Sequence, residues 1–314
     1  MTLAIVSILG GLVLLALGAE GLVRGSSSIA LRMGVTPLVV GLTVVAFGTG
    51  SPEMIVSLQA ALAGSSDLAL GNIVGSNIAN IALILGLAAL ARPLHVRSAL
   101  LLREVPVMIG VTLLLVVLLR DGELGRVDGA ILTTVAIAYT IGAYLASRRD
   151  RDADVAAEFA GEMPRVQAST GRSVALVIAG FAGLLVGAHV LVDGAVVIAK
   201  ALGMSEVVIG LTVIAIGTSL PELATSVVAA LRNDADVAFG NVLGSNILNI
   251  ALILGVVAMI QPVSATGLRT LDLVAMVGSA VLLYPLLWRG RILNRWEGGA
   301  LLLGYGAYLV LALR

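Results

Sequence analysis

Long apolar runs alternate with short polar or glycine-rich breaks along almost the whole chain. A helix needs roughly 20 apolar residues to cross the hydrocarbon core of a bilayer, and ten runs reach that length. They lie near 2–30, 36–63, 68–91, 98–119, 127–147, 172–200, 206–231, 237–260, 270–288 and 295–313. The pattern predicts an all-α membrane protein with ten transmembrane helices.

The composition agrees with this pattern and limits the chemistry. Of the 314 residues, 59% are hydrophobic and 12% are charged, a balance that excludes an ordinary soluble globular protein. The chain has no cysteine and two histidines, His95 and His189. Thiolate-bound metals are therefore excluded and a zinc site is not expected, so any metal ion must be bound by oxygen.

Basic residues are divided unequally between the loops. Alternate loops, beginning with the one near Arg32, hold about 13 of them, and the other loops and the chain end hold about five. Because lysine and arginine concentrate in cytoplasmic loops, the richer side is predicted to be cytoplasmic and both termini to lie outside. The polar segment 148–171, between the fifth and sixth runs, is predicted to be a solvated cytoplasmic linker.

The chain repeats itself at an offset of 169 residues. "GVTPLVVGLTVVAFGTGSPE" aligns with "GMSEVVIGLTVIAIGTSLPE", and "LALGNIVGSNIANIALILG" aligns with "VAFGNVLGSNILNIALILG", with about 31 of 57 positions identical. Each copy holds five predicted helices, and an odd number of crossings reverses the orientation of the second copy. The sequence therefore predicts two inverted five-helix repeats, 1–147 and 172–314, joined by the linker.

The hexapeptides "GTGSPE" (48–53) and "GTSLPE" (217–222) place a proline and a glutamate inside apolar runs. Pro52 and Pro221 should interrupt their helices, which at membrane depth is tolerated only where protein or a wet cavity surrounds the break. Glu53 and Glu222 are costly to bury and would repel each other. Neither hexapeptide holds a basic residue, so the counter-charge should be mobile: a metal ion or a proton.

Other oxygen atoms lie near these carboxylates in the sequence. Hydroxyl groups fall within one turn of them, at Thr49, Ser51, Thr218 and Ser219. Two carboxylates with hydroxyl and carbonyl oxygens suit Ca²⁺, which takes about six to eight oxygen ligands, and the neutral oxygens can also serve Na⁺. A purely structural role, such as capping a broken helix end, is the alternative for the two glutamates.

A second polar motif recurs in both copies. Asn72, Ser76 and Asn80 are spaced by four residues and share one helix face. The equivalent face in the second copy holds Asn241, Ser245 and Asn249. We interpret these faces as the rest of an oxygen cage, with hydrogen bonding between helices as the alternative. Pairs of glycines in the same motifs, Gly71 and Gly75 with Gly240 and Gly244, should let the broken helix approach closely.

These duplicated segments resemble the cation/Ca²⁺ exchanger superfamily, and most closely its prokaryotic sodium/calcium exchanger branch. The resemblance covers essentially the whole chain. It implies that Glu53 and Glu222 are shared ligands for Ca²⁺ and Na⁺, that Thr49 and Thr218 contribute oxygens, and that Ala46 and Ala215 contribute carbonyls. It further implies that flanking sodium sites or the central site are lined by Ser76, Ser245, Ser219, Asn80 and Asn249.

The sequence departs from the family pattern at two positions. Gly50 stands where the family usually has a serine, which is present at the matching Ser219, so the Na⁺ stoichiometry is open. Asn249 stands where several members have an aspartate, which limits the fixed charge of the site to the two glutamates. One Ca²⁺ would neutralise that charge, whereas three Na⁺ would exceed it by one.

The resemblance implies a secondary antiporter that exchanges Ca²⁺ for Na⁺ by alternating access, in which the first and sixth spans are expected to move. A Ca²⁺/H⁺ or other cation/proton exchanger on the same scaffold is the main alternative. An intramembrane hydrolase and a channel fit less well, because the motifs contain no histidine or basic residue and because helix breaks suit occlusion. The expected protein is a non-enzyme of the prokaryotic inner (plasma) membrane. It has the lipid bilayer, Ca²⁺, Na⁺ and, in the alternative, H⁺ as partners, with no prosthetic group, nucleic acid or obligate protein partner.

Two further pairs of residues lie outside these motifs. Glu20 and Arg24 are spaced by four in the first run, and His189 and Asp193 occupy the corresponding places in the sixth. This spacing predicts local pairing within each helix, and a gate between the halves is the alternative. His95 lies in a loop and is expected to be solvated.

Overall fold

The computed structural model describes residues 2–33, 36–150, 169–202 and 215–312. Helices occupy the predicted apolar runs wherever these are described. Most of the predicted linker, 151–168, and the beginning of the seventh run, 206–214, lie outside the described residues. The helices are α1 (Thr2–Met33), α2 (Pro37–Thr49), α3 (Ser51–Leu62), α4 (Ser66–Ala91), α5 (Leu100–Asp121), α6 (Arg126–Asp150), α7 (Thr170–Ala201), α8 (Ala215–Thr218), α9 (Leu220–Leu231), α10 (Ala235–Ile260), α11 (Thr270–Trp288) and α12 (Arg295–Ala312).

Seven of these helices are long and apolar enough to cross a membrane, and α2 with α3 forms a bent eighth span. The all-helical membrane architecture is therefore confirmed. The count of ten spans and the inversion of the second repeat stay predictions.

Burial separates an inner layer of helices from an outer one. The apolar stretches of α4 and α10 are each 78% buried, whereas those of α1 and α7 are each 28% buried. Since lipid tails solvate apolar side chains as well as a protein core does, the outer helices can expose leucine and valine. The inner helices carry the repeated Asn and Ser motifs, which places these polar residues in the best-shielded part of the molecule.

The outer helices α1 and α7 pack against each other through glycines. A Cβ atom on Gly18 would lie 2.7 Å from the backbone nitrogen of Leu184, and one on Gly180 would lie 2.6 Å from that of Leu22. Small residues allow such close backbone approach between membrane helices. The contact places the first and sixth predicted spans side by side, outside the inner helices.

The predicted glycine packing is confirmed for one of the two inner helices. On α10, a Cβ atom at Gly240 would lie 2.7 Å from the Leu38 carbonyl oxygen, and one at Gly244 would lie 2.5 Å from that of Leu42. The broken helix of the first repeat therefore crosses the second repeat at these glycines. For Gly71 and Gly75 on α4, the matching partner segment falls in residues 203–214.

Short antiparallel strand pairs join the loops at the two ends of the bundle. β1 (Leu94–His95) pairs with β4 (Ile292–Leu293), and β2 (Glu123–Leu124) pairs with β3 (Val263–Ser264). The first pair links two loops that the charge pattern assigns to the cytoplasm, and the second links two loops assigned to the other side. Alternate loops therefore meet at common ends, as predicted. His95 is exposed, also as predicted.

Candidate ion-binding site

Both hexapeptides interrupt their helices in the same way. The chain bends by 46° between α2 and α3, with Gly50 at the bend. Gly50 has φ −76° and ψ 3°, and the matching Ser219, between α8 and α9, has φ −89° and ψ 6°. In each copy the proline is one of the first two residues of the new helix and the glutamate lies in its first turn. A helix N-terminus favours a negative charge, so each break presents its carboxylate where the backbone stabilises it.

Glu53 and Glu222 are both 1% exposed and interact electrostatically with one another. The hydrogen bond between Ser219 and Glu53 brings residues of the two copies together here, and a site shared by the two glutamates stays a prediction. Within the described residues, no group of three or more His, Cys, Asp or Glu side chains is arranged to hold a metal ion. The negative charge at the junction therefore comes from two carboxylates, and neutral oxygens supply the rest of the polar lining.

The Glu53 carboxylate contacts the second repeat. The Ser219 hydroxyl donates a hydrogen bond of 3.1 Å to Glu53 Oε1, and Thr218 lies beside the same carboxylate. Ser219 Oγ also lies 3.4 Å from Ser76 Oγ on α4. Two predicted ligands thus lie beside one glutamate and a third, Ser76, contacts Ser219, while Glu53 Oε2 has no hydrogen-bond partner among the described residues.

The residues around Glu222 differ from those around Glu53. Thr49 from the first repeat lies beside it, but the Thr49 hydroxyl is 3.1 Å from Asn241 Oδ1, to which it donates. Among the described residues, neither carboxylate oxygen of Glu222 accepts a hydrogen bond. The second glutamate is therefore buried with both oxygens available.

The side-chain nitrogens of Asn72 and Asn241 bond at the helix breaks, as the alternative of hydrogen bonding between helices predicts, while a role for the Asn and Ser faces in an oxygen cage stays a prediction. The Asn72 side-chain nitrogen donates to the Glu53 carbonyl oxygen at 3.3 Å and to Ser57 Oγ at 3.0 Å. In the second copy, Asn241 binds the Glu222 carbonyl oxygen at 3.2 Å and Ser226 Oγ at 3.0 Å. Each asparagine fixes the backbone at the glutamate, so the glutamate side chain is held toward the other repeat.

The remaining residues of the predicted cage are deeply buried. Ser76 is 4% exposed, Ser245 is 0%, and Asn80 and Asn249 are 1% each. Asn80 and Asn249 also begin π-helical stretches, Asn80–Ile84 and Asn249–Leu254, a distortion that is frequent at functional sites. Among the described residues, eight buried side-chain N or O atoms have no hydrogen-bond partner, and six of them belong to Glu53, Asn80, Glu222, Ser245 and Asn249.

The two predicted carbonyl ligands lie at the helix breaks. The Ala46 carbonyl oxygen accepts the Gly50 N–H at 3.0 Å, and the Thr49 hydroxyl lies 3.4 Å from the same oxygen. In the second copy the equivalent N–H, that of Ser219, donates to the Ile216 carbonyl oxygen at 3.2 Å. Ala215 begins the described part of that helix. Ligation by either carbonyl stays a prediction.

Asn77 and Asn246 were given no role by the sequence analysis, although both occur in the repeated "GSN" segments. They are 2% exposed and bond to each other across the two repeats. The repeat could have pointed to them, because Asn77 and Asn246 are identical residues at the repeat offset of 169, as several of the predicted ligands are. Spacing by four residues groups Asn72, Ser76 and Asn80 and does not include Asn77.

The predicted pair of Glu20 and Arg24 is present, with 2.6 Å between their charged atoms. Glu20 also pairs with Arg232, which begins the loop between α9 and α10, a partner far away in sequence that local spacing could not reveal. His189 and Asp193 on α7 approach each other to 3.4 Å, with side chains that are 78% and 65% exposed. The two pairs are thus equivalent in sequence position and differ in their surroundings.

Buried carboxylates at two opposed helix breaks, surrounded by neutral oxygens within a bundle of apolar helices, define the chain as a multi-pass membrane protein with a central polar site. The model of the family "Sodium/calcium exchanger protein" matches residues 3–145 and 172–314. The chain belongs to this family, whose members are exchangers and not enzymes.

Individual relatives agree with the family assignment. The chain is 40% identical over 268 residues to the inner membrane protein YrbG of Escherichia coli (strain K12), covering 83% of this chain and 81% of YrbG. It is 31% identical over 344 residues to the sodium/calcium exchanger MaX1 of Methanosarcina acetivorans, covering 99% and 98%. A solved structure of the sodium-calcium exchanger NCX_Mj, soaked with zero Na⁺ and Ca²⁺, superposes with a TM-score of 0.86 at 34% identity, covering 100% and 99%.

Proposed function

We propose that the protein is a secondary antiporter that exchanges Ca²⁺ for Na⁺, with both ions using one site between Glu53 and Glu222. The observation that carries this proposal is the set of six buried oxygen atoms, on five predicted ligands, that have no hydrogen-bond partner in the part of the chain that the structure describes. Leaving buried acceptors unsatisfied costs about 1–3 kcal/mol each and more for charged groups, and a bound cation would satisfy such a cluster. Two relatives are named as sodium/calcium exchangers, which supports the choice of Ca²⁺ and Na⁺.

Charge balance supports competition between the two ions. Two carboxylates are neutralised by one Ca²⁺, and the same oxygens can bind Na⁺ in its place. Because both ions need Glu53 and Glu222, full occupancy by one excludes the other. An empty site would carry two uncompensated charges through a region of low dielectric, which opposes movement without an ion and favours coupled exchange over leak.

Alternating access needs two halves that can move relative to the site. We infer two inverted five-helix repeats, 1–147 and 172–314, which together make ten spans joined by a cytoplasmic linker at 148–171, with both termini outside. Separate matches of the family model to 3–145 and 172–314 support the two halves, and the unequal loop charges support the orientation. The outer position of α1 and α7 makes them the helices best placed to slide across the inner layer.

The ligands of the proposed site are Glu53 and Glu222, with neutral oxygens from the residues around them. We assign these neutral ligands to Thr49, Thr218, Ser76, Ser245, Ser219, Asn80, Asn249 and the carbonyls of Ala46 and Ala215. The site needs no prosthetic group, because the transported ion itself is what the oxygens bind.

The test is uptake of radioactive Ca²⁺ into vesicles that contain the purified protein. Three conditions are compared: an outward Na⁺ gradient, a pH gradient of equal size, and neither. We expect uptake to follow the Na⁺ gradient and to fall to the level of protein-free vesicles without it. Uptake that follows the pH gradient instead would replace Na⁺ by H⁺ as the exchanged ion, and uptake indifferent to both gradients would contradict antiport.

A further inference from the structure

A chain of four amide side chains crosses between the two repeats beside the proposed site. Asn77 Nδ2 donates to the Asn246 carbonyl oxygen at 3.2 Å, and Asn246 Nδ2 donates to the Asn77 carbonyl oxygen at 3.3 Å. The two residues are equivalent in the repeat, so the pair is reciprocal. It joins α4 to α10 at a buried level, since both asparagines are 2% exposed.

The remaining oxygen of each paired side chain accepts a hydrogen bond from a predicted ligand. Asn80 Nδ2 donates to Asn246 Oδ1 at 3.0 Å, and Asn249 Nδ2 donates to Asn77 Oδ1 at 3.2 Å. A side-chain amide has its donor nitrogen and acceptor oxygen on opposite sides of one planar group. Fixing the nitrogen therefore fixes the direction of the oxygen.

The side-chain oxygens of Asn80 and Asn249 take no part in these hydrogen bonds. Asn80 Oδ1 and Asn249 Oδ1 are buried and have no hydrogen-bond partner among the described residues. If either amide turned over, it would present an NH₂ group in place of the oxygen, and an amide nitrogen cannot bind a cation. An asparagine ligand, unlike a carboxylate, needs something to determine which end it presents.

We propose that Asn77 and Asn246 are positioning residues that hold the Asn249 and Asn80 amides with their oxygens toward the ion. The inference rests on the proposed function, because it requires a cation at the shared site. It assigns each positioning residue to one ligand in the other repeat: Asn246 acts on Asn80, and Asn77 acts on Asn249.

Because each positioning residue acts on a ligand in the other repeat, the proposal can be tested by combining substitutions. Ca²⁺ affinity is measured by titration calorimetry on purified full-length protein without Na⁺, for Asn246→Leu, Asn77→Leu and their combinations with Asn80→Ala and Asn249→Ala. We expect each leucine variant to weaken Ca²⁺ binding about tenfold, as for the loss of one oriented ligand to a charged ion. In the Asn80→Ala background there is no amide to orient, so Asn246→Leu should then change affinity less than about twofold, whereas Asn77→Leu should keep its full effect. The Asn249→Ala background should show the reverse.

A merely structural role would give another pattern. Loss of packing would lower the unfolding temperature and would reduce affinity equally in both alanine backgrounds, and that result would overturn the proposal. Asn246→Asp is the second variant: it loses the donors but keeps an oxygen that accepts from Asn80 Nδ2. We expect it to retain Ca²⁺ affinity where Asn246→Leu does not, and equal loss in the two would also overturn the proposal.

The outcomes separate this inference from the proposed function. If the unmodified protein does not bind Ca²⁺, the proposed function fails. If it binds Ca²⁺ but the crossed dependence is missing, only the positioning role fails. Should the leucine variants not assemble, Asn246→Ala and Asn77→Ala remove the same acceptors with a smaller change of volume, and the crossed comparison is made with them.

Discussion

The two halves of the polar site have nearly the same backbone conformation at the helix break. They differ in the hydrogen bonds that their carboxylates accept. On one side Ser219 donates to Glu53 at 3.1 Å. On the other side the matching residue is Gly50, and both oxygens of Glu222 lack a hydrogen bond among the described residues. The repeat thus preserved the helix break and the acid in both copies, but not the hydroxyl.

Backbone geometry does not require the glycine. Gly50 has φ −76°, a conformation open to any residue, and Ser219 adopts nearly the same one. A Cβ atom on Gly50 would lie 3.1 Å from the Ala46 carbonyl oxygen and 3.5 Å from Asn249 Oδ1. The space beside it is a cavity of about 10 Å³ that Gly50 and Asn249 help to line, about the volume that one water molecule needs. At the helix break the two halves therefore share nearly the same backbone conformation and differ in one hydroxyl group.

Removing either carboxylate is the strongest test of whether the halves act as one site. We expect Glu53→Gln and Glu222→Gln each to reduce Ca²⁺ uptake at least about a hundredfold, since one remaining charge cannot neutralise a divalent ion and breaking a buried charge pair costs about 3–5 kcal/mol. The measurement is the initial rate of Na⁺-driven Ca²⁺ uptake. Ser51→Ala is the matched control, because position 51 lies in the same hexapeptide and its counterpart is Leu220. A glutamine variant with more than a tenth of the normal rate would show that the halves work separately.

Exchanging the hydroxyl between the halves should change the response to Na⁺. We expect Gly50→Ser to lower the Na⁺ concentration that half-inhibits Ca²⁺ binding by about fivefold, since one added oxygen contributes about 1 kcal/mol. Ser219→Gly should raise it by a similar factor. The measurement is Ca²⁺ titration at several Na⁺ concentrations.

The double variant Gly50→Ser with Ser219→Gly moves the hydroxyl from one half to the other. If the halves are equivalent except for this group, the double variant should return toward the Na⁺ dependence of the unmodified protein. A Gly50→Ser protein with unchanged Na⁺ dependence would mean that the missing hydroxyl has no part in sodium binding.

The smallest expected effect concerns the ion pairs on the outer helices. Glu20 on α1 pairs with Arg24 and Arg232, while the equivalent residues on α7, His189 and Asp193, are largely exposed. We expect Arg232→Ala to change the maximal exchange rate by about twofold to fivefold, because partly exposed ion pairs contribute about 0.2–1 kcal/mol. The rate is measured at saturating Ca²⁺ and Na⁺. Asp193→Ala should alter it less, and an equal or larger effect of Asp193→Ala would show that the two outer helices are equivalent.

Much of the fold and the centre of the site followed from sequence because they depend on local rules. Apolar length located the helices, and a carboxylate beside a proline in an apolar run, present twice, located the junction. The cage was less predictable. Helical periodicity put Asn72 and Asn80 on one face. It cannot tell that Asn72 bonds to a backbone carbonyl, or that the Asn80 side-chain oxygen has no hydrogen-bond partner within the described ranges. Nor can it show contacts between distant segments, such as Glu20 with Arg232 or Asn77 with Asn246.

The two-residue strand pairs have a consequence for how the protein can move. β1 with β4 ties the loop after α4 to the loop after α11, and β2 with β3 ties the loop after α5 to the loop after α10. These strand pairs lie at opposite ends of α5. The joined loops at either end can therefore not separate without breaking backbone hydrogen bonds. For the proposed exchanger, this restraint on the inner helices leaves α1 and α7, which pack closely through glycines, as the helices that we expect to control access to the site.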